Sequence, residues 1–146
     1  DSIYTADPRI IENARRMNEI DFRDMLLLAR AGSQVLHSRS VELAMANGVD
    51  IYLLSSAGEP GYSVVRSLGN DRRPLFAGVT KNAADSSVTL VGRGCGSHTL
   101  PELASILSGC GVSVRGGRMG DGYAGVRVDP EQLTFALRKV HELMFE

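Results

Sequence analysis

The chain of 146 residues has no tryptophan, only 5% aromatic residues and two cysteines. Cys95 and Cys110 are too few for a disulfide framework, so we expect a reducing, cytoplasmic location. The longest apolar run, Met25 to Ala29, is far too short to span a membrane, and no signal peptide is visible. The 16 basic residues are scattered and balanced by 17 acidic ones, so we expect neither a membrane nor a nucleic acid as partner.

Metal-ligating residues are sparse as well. His37, His98 and His141 are dispersed along the chain and form no metal-binding spacing with the two cysteines. We therefore expect no metal site, and no residue is assigned a catalytic role. The length suits one medium domain, or one small domain together with part of another.

Residues 1–56 have the pattern helix, helix, strand. Asp21 is a suitable N-cap for a helix that ends at Gly32. A second helix is predicted over Ser38–Asn47, and a buried strand over residues 49–54. This order is typical of a piece of an α/β domain.

Residues 57–73 contain Gly58, Pro60, Gly61, Gly69, Asn70, Asp71 and the pair Arg72-Arg73. Such a composition predicts a linker. The alternative is a surface loop that contains a short strand near Val64 and Val65.

Residues 74–146 alternate between strand and helix patterns. The predicted strands are 75–79, 88–91, 112–114 and 123–128. One helix is predicted from a capping box at Thr99 and another from Asp129, and the glycine-rich stretch 116–122 is predicted to be a turn. The order β, β-α-β-β-α predicts an α+β sandwich of the ferredoxin-like kind, with both helices on one face of the sheet.

Two segments carry candidate binding chemistry. In Tyr4-Thr5-Ala6-Asp7-Pro8-Arg9, the tyrosine ring can pack on a base or ribose and the arginine can bind a phosphate; the alternative is a simple helix start at Asp-Pro. Gly92–Ser97 is a glycine-rich loop before a helix, where backbone N–H groups can bind a carboxylate. Its spacing is not that of a dinucleotide-binding loop, and the alternative is a tight strand-to-helix turn.

The first segment, together with Ile20-Asp21-Phe22 and Ala31-Gly32-Ser33-Gln34-Val35-Leu36-His37, resembles the C-terminal part of the aspartokinase catalytic domain. Residues 74–146 resemble the ACT regulatory domain of the same family. The resemblance implies that residues 1–56 are the end of an amino-acid-kinase-like α/β domain, here a helix-helix-strand remnant. It also implies a ferredoxin-like, ACT-type sandwich over residues 74–146.

The resemblance implies nucleotide contacts at Tyr4, Arg9, Gln34 and Val35. The family usually has lysine at the position of Gln34, and a neutral amide cannot neutralise phosphate charge. We expect the family's phosphate-gripping loop and its aspartate-binding residues to lie in a segment that this chain does not have. ATP and Mg are thus implied for the intact family enzyme, and no cofactor is expected for this chain alone.

The resemblance also implies an effector site in the glycine-rich loop, and the expected effector is a small amino acid, lysine or threonine. The site would be formed by Gly94, Cys95, Gly96, Ser97, His98 and Thr99. Arg118 would pair with the effector carboxylate, or else be simply solvated. A weakly charged sheet edge predicts a homodimer through the ACT-like unit, unless residues 57–73 cap that edge.

The predicted function is therefore the regulatory, effector-binding C-terminal part of an aspartokinase, inactive alone. The family enzyme phosphorylates L-aspartate with ATP in the first step of lysine, threonine and methionine biosynthesis. Two alternatives stay open: a subunit of an active aspartokinase completed by another chain that supplies the missing kinase segment, and a structural pairing module without a ligand. Gln34 and the expected lack of the phosphate loop argue against the active subunit.

Overall fold

The computed structural model describes residues 2–54 and 60–146. The elements are β1 (Glu19–Asp21), α1 (Phe22–Arg30), α2 (Ser38–Asn47), β2 (Ile51–Leu54), β3 (Tyr62–Arg66), β4 (Gly78–Asn82), β5 (Ser87–Val91), α3 (Thr99–Gly109), β6 (Val114–Gly120), β7 (Tyr123–Val128) and α4 (Leu133–Phe145). They build two sheets with helices packed on them, which confirms the predicted mixed α and β class. Within the described ranges, no helix is both long enough and apolar enough to cross a bilayer.

Local signals place the first two helices as predicted. The Asp21 side chain accepts a hydrogen bond from the Arg23 N–H and caps α1. The chain leaves α1 through Gly32, whose φ of +127° favours glycine and whose Cα lies close to the Lys81 carbonyl. α2 ends at Gly48 in the left-handed conformation.

The first sheet has the strand order β1-β3-β2. Its central strand, β3, is parallel to β1 and antiparallel to β2. It lies inside the predicted linker 57–73, so that stretch is not a plain linker: the fully buried Val65 joins the core beneath α1. Residues 55–59, at the predicted start of the linker, lie outside the described residues. β2 is half-exposed, not buried as predicted, because it forms an edge of the sheet.

The second sheet is antiparallel with the order β4-β5-β7-β6. Its core lies under α3 and α4, which both pack on the same face, as predicted. In this core Leu90 and Val126 of the sheet meet Leu107 of α3 and Leu137 of α4. β4 begins at Gly78, later than the predicted start of the strand.

The predicted glycine-rich turn over residues 116–122 is wrong. β6 runs through to Gly120, and the turn between β6 and β7 is confined to Asp121 and Gly122. The glycines inside the strand serve packing: a Cβ at Gly117 would collide with the side chain of Leu100, and the Arg127 guanidinium lies over Gly116. Glycine here permits close approach within a strand rather than a reversal of the chain.

α1 joins the two sheets. Its residues Leu27 and Leu28 approach Gly122 and Gly78 on the face of the second sheet opposite α3 and α4, which we call the outer face. A salt bridge of 2.7 Å between Asp24 of α1 and Arg73 reinforces this junction, and neither side chain is more than 9% exposed. The chain thus forms one continuous packed structure across the described ranges.

Candidate functional site

The segment around Thr5 is tied to the second sheet. The Thr5 carbonyl accepts a hydrogen bond from the Val79 N–H at 2.8 Å, so this segment covers part of the edge of β4. Ala6 and Ile11 belong to the core beneath α3 and α4. Residues 57–73 were the alternative source of such a cover; at β4 it is the segment around Thr5 that provides it.

The Thr5 side chain meets the last helix. Its Oγ1 lies 2.8 Å from Nε2 of His141, a residue of α4 with no exposed surface. The other ring nitrogen, Nδ1, lies 2.9 Å from a carboxylate oxygen of Glu146, and this contact holds the pKa of Glu146 below its usual value. Because a carboxylate accepts, Nδ1 donates; in the neutral ring Nε2 then accepts from the Thr5 hydroxyl. Thr5 Oγ1 in turn accepts from the Arg15 N–H.

The four residues implied as nucleotide contacts lie in two places. Tyr4 is half-buried and pairs through an isolated bridge with Arg16. Gln34 and Val35 are exposed in the stretch that follows α1. Arg9 is exposed, and its guanidinium binds the carboxylate of Asp7 at 2.9 Å.

The four residues provide little positive charge for binding a nucleoside triphosphate. The hydrogen bond from Arg9 holds the pKa of Asp7 below its usual value, so the carboxylate stays ionised and offsets the arginine's charge. Gln34 adds no charge. Of these four residues only Arg9 carries a positive charge, and its guanidinium is already paired with Asp7.

The glycine-rich loop satisfies most of its own hydrogen bonds. The N–H groups of Gly94, Cys95 and Thr99 donate to carbonyls of Leu75, Gly92 and Gly96. Thr99 does not cap α3: the N-cap residue is His98, and Thr99 Oγ1 instead accepts from the Gly96 N–H at 3.0 Å.

Among the candidate effector residues Gly94 to Thr99, Ser97 and His98 are exposed, whereas Cys95 and Thr99 are buried. Any ligand of the loop therefore meets its tip and the first turn of α3.

Arg118 lies apart from that loop. It lines a cavity of about 300 Å³ between the C-terminal end of α1 and the outer face of the second sheet, which we call the α1 cavity. None of the residues from Gly94 to Thr99 lines it. Besides Arg118, its polar lining includes Arg30, Arg127, Asp85, Ser87 and Thr89.

Apart from Arg118, these lining residues were not predicted from the sequence. They come from different elements and follow no short motif. The alternation of side chains along β5 and β7 is the one signal that places Thr89 and Arg127 on a common face of the sheet.

The two cysteines differ sharply. Cys95 is buried in the core, and burial, helped by the charge of Asp24, raises its pKa to about 12. Cys110 is exposed at the end of α3. Neither forms a disulfide, and among the described residues no group of His, Cys, Asp and Glu could hold a metal ion.

Comparison with known proteins finds similarity to the amino acid kinase family and to aspartokinases. The family profile described as the amino acid kinase family matches residues 1–55. The aspartokinase of Rickettsia prowazekii (strain Madrid E) is 57% identical over 56 residues, which are 38% of this chain and 13% of that protein. The aspartokinase of Rickettsia felis is 54% identical over 84 residues, 56% of this chain and 21% of that protein. The chain is related to the aspartokinases.

The chain spans 13% to 23% of the length of these curated relatives, with the larger share in the aspartokinase of Mycobacterium tuberculosis (strain ATCC 25618 / H37Rv), 37% identical over 95 residues. Among solved structures, aspartokinase III of E. coli in complex with aspartate and ADP matches 99% of this aspartokinase-like chain and 50% of that chain. Its TM-score is 0.84 at 17% identity. The aspartate kinase of Clostridium acetobutylicum matches 97% of this chain and 52% of that chain, with a TM-score of 0.76 at 15% identity. At such identities the two structures show a shared fold.

Proposed function

We propose that this chain is the regulatory, effector-binding C-terminal part of an aspartokinase, whose intact form phosphorylates L-aspartate with ATP and Mg in the cytoplasm. The observation that carries the proposal is the position of Thr5. It belongs to the segment that resembles the family's nucleotide-contacting motif, and it is bonded both to β4 and to His141 of α4. A shift of β4 or α4 therefore moves Thr5 and, with it, Tyr4 and Arg9.

The proposed effector is lysine or threonine, bound at the tip of the glycine-rich loop. Support comes from the exposure of Ser97 and His98 beside the start of α3, where the helix dipole favours a carboxylate. Gly94, Gly96 and Thr99 shape the loop through their internal hydrogen bonds. Regulation requires that the effector bind one conformation better than the other.

A homodimer through the ACT-like second unit is part of the proposal. β6 is an edge strand that pairs only with β7 among the described residues. Two copies can extend the sheet by antiparallel pairing of their β6 strands about a two-fold axis.

The chain alone is proposed to be inactive, because Arg9 is paired with Asp7 and Gln34 is neutral.

A second candidate is a subunit completed by a separate kinase segment. It is favoured by the edge strand β2, where further strands can pair, and by its exposed side chains Tyr52 and Leu54. Aspartate-dependent ADP release measured with the purified chain tests the main proposal: turnover above the blank would refute inactivity.

Hydrogen exchange tests the regulatory link. Lysine or threonine at millimolar concentration should protect amides near His98 and, through α4, those of residues 4–17. Thr5→Val should remove the second protection and keep the first, because it deletes the hydroxyl that meets His141. Thr134→Val, at an exposed position of α4, is the matched control. Absence of protection with both amino acids would refute the proposed effector.

A further inference from the structure

We propose that the α1 cavity is a binding site for a small oxyanion, a carboxylate or a phosphate ester with an apolar portion. This site is separate from the glycine-rich loop, and the proposal does not depend on the aspartokinase function. It rests on the charge, the floor and the position of the cavity.

The lining has an excess of positive charge. Arg30, Arg118 and Arg127 contribute three guanidinium groups against the single carboxylate of Asp85. Arg118 is only loosely held, at 3.5 Å from Asp85, and it is 69% exposed. Arg127 makes one long hydrogen bond of 3.4 Å, to the carbonyl of Arg115. Each guanidinium has five N–H donors, so both retain donors for an incoming oxyanion.

The carboxylate of Asp85 offsets only one of these positive charges. Its carboxylate accepts from the Ser87 hydroxyl at 2.6 Å, besides facing Arg118. The third arginine of the lining, Arg30, binds Glu42 outside the cavity at 3.1 Å. Arg118 and Arg127 are therefore the groups that we expect to hold the anion.

The floor of the cavity is kept open by glycine. Gly125 of β7 lies beside Thr89 of β5, and a Cβ at Gly125 would stand only 2.6 Å from Thr89 Oγ1. The missing side chain leaves space above the strands next to a hydroxyl. Leu27 and Tyr123 provide apolar wall. A concave, partly apolar site of this size with a few convergent polar groups is typical of small-molecule pockets.

The cavity lies between the two units of the chain. Leu27 and Arg30 come from α1 and Ala31 directly follows it, within the region that matches the kinase family. The other lining residues come from the second sheet, with Asp85 in the turn between β4 and β5. A ligand that touches both sides stabilises their contact, because it binds the native arrangement and not the separated one.

Calorimetric titration at fixed ionic strength tests the proposal with three probes: inorganic phosphate, phenyl phosphate and succinate. We expect saturable binding of at least one probe. Tighter binding of phenyl phosphate than of inorganic phosphate would show that the ligand contacts the apolar wall. Comparison of the affinity for succinate with the affinities for the two phosphates distinguishes a carboxylate ligand from a phosphate ligand. Hydrogen exchange should slow at residues 27–31 on binding.

The variant Arg118→Gln/Arg127→Gln should weaken binding at least tenfold. Both side chains are exposed, so the fold should persist, which circular dichroism checks. The matched control Arg39→Gln/Arg138→Gln removes two exposed arginines outside the cavity and should leave binding unchanged. No saturable binding with any probe, or equal weakening in both double variants, would overturn the proposal.

Discussion

Replacing Arg73 by methionine removes the partner of a carboxylate that has no exposed surface. Asp24 is fully buried in α1, and Arg73 holds it through hydrogen bonds of 2.7 and 3.4 Å. The substitution keeps most of the apolar volume of the arginine and deletes its charge. The carboxylate of Asp24 then stays buried without a counter-charge.

The cost follows from the burial of the pair. Removing one partner of a buried salt bridge costs about 3–5 kcal/mol, a large share of the roughly 5–15 kcal/mol that holds a domain folded. For a chain of this size about 1 kcal/mol corresponds to roughly 3 °C in Tm. We therefore expect the Tm of Arg73→Met to fall by about 9–15 °C.

Thermal unfolding followed by circular dichroism measures this change. The neighbouring variant Arg72→Met is the control: Arg72 pairs with Glu19 at the surface, and such pairs contribute about 0–1 kcal/mol. The double variant Asp24→Leu/Arg73→Met should regain most of the lost stability, because an apolar pair replaces the ion pair. Equal, small shifts for Arg73→Met and Arg72→Met would refute the reasoning.

Three further predictions concern thiols, acid and assembly. In the native chain the exposed Cys110 should react rapidly with a disulfide reagent at pH 8. Cys95, whose pKa is raised to about 12, should react only after unfolding. Rapid reaction of both thiols would contradict this. Burial raises the pKa of Asp21, but hydrogen bonds, above all the one from Arg23, outweigh it, so the pKa is lowered in the folded chain. The stability that this carboxylate contributes is therefore present above about pH 4 and should be lost as the pH falls through the folded pKa. Urea unfolding between pH 2 and 7 should show a smaller loss for Asp21→Asn, which keeps a capping side chain, and an unchanged pH profile would contradict the assignment. Light scattering should give twice 15.7 kDa at tens of micromolar, and a clean monomer would exclude pairing through β6.

Local sequence signals were sufficient where a structure depends on neighbouring residues. The cap at Asp21 and the glycine at position 48 act within a few residues, and α1 and α2 follow from them. The strand near Val64 and Val65 was predicted only as the alternative to a linker. It is short, lies among turn-forming residues and pairs with β1, more than 40 residues earlier. Glycines 116 and 117 indicated a turn, but distant side chains decide their conformation.

The candidate site shows the same division. Tyr4, Arg9 and the glycine-rich loop stand out because their residues are contiguous. The α1 cavity draws its residues from α1 and from all four strands of the second sheet, so no short window of the sequence contains it. Arg118 was singled out as an effector residue, but which elements surround it depends on the packing of α1 against the second sheet.

The contact between Thr5 and His141 joins residues 136 positions apart, which has a consequence for the order of folding. Thr5 leaves the ribosome well before α4 does, so residues 4–17 have no partner there until α4 has been synthesised. Contacts of such long sequence separation carry the largest loop-closure cost and form slowly. We therefore expect residues 4–17 to dock in a late step, after the second sheet and α4 have assembled.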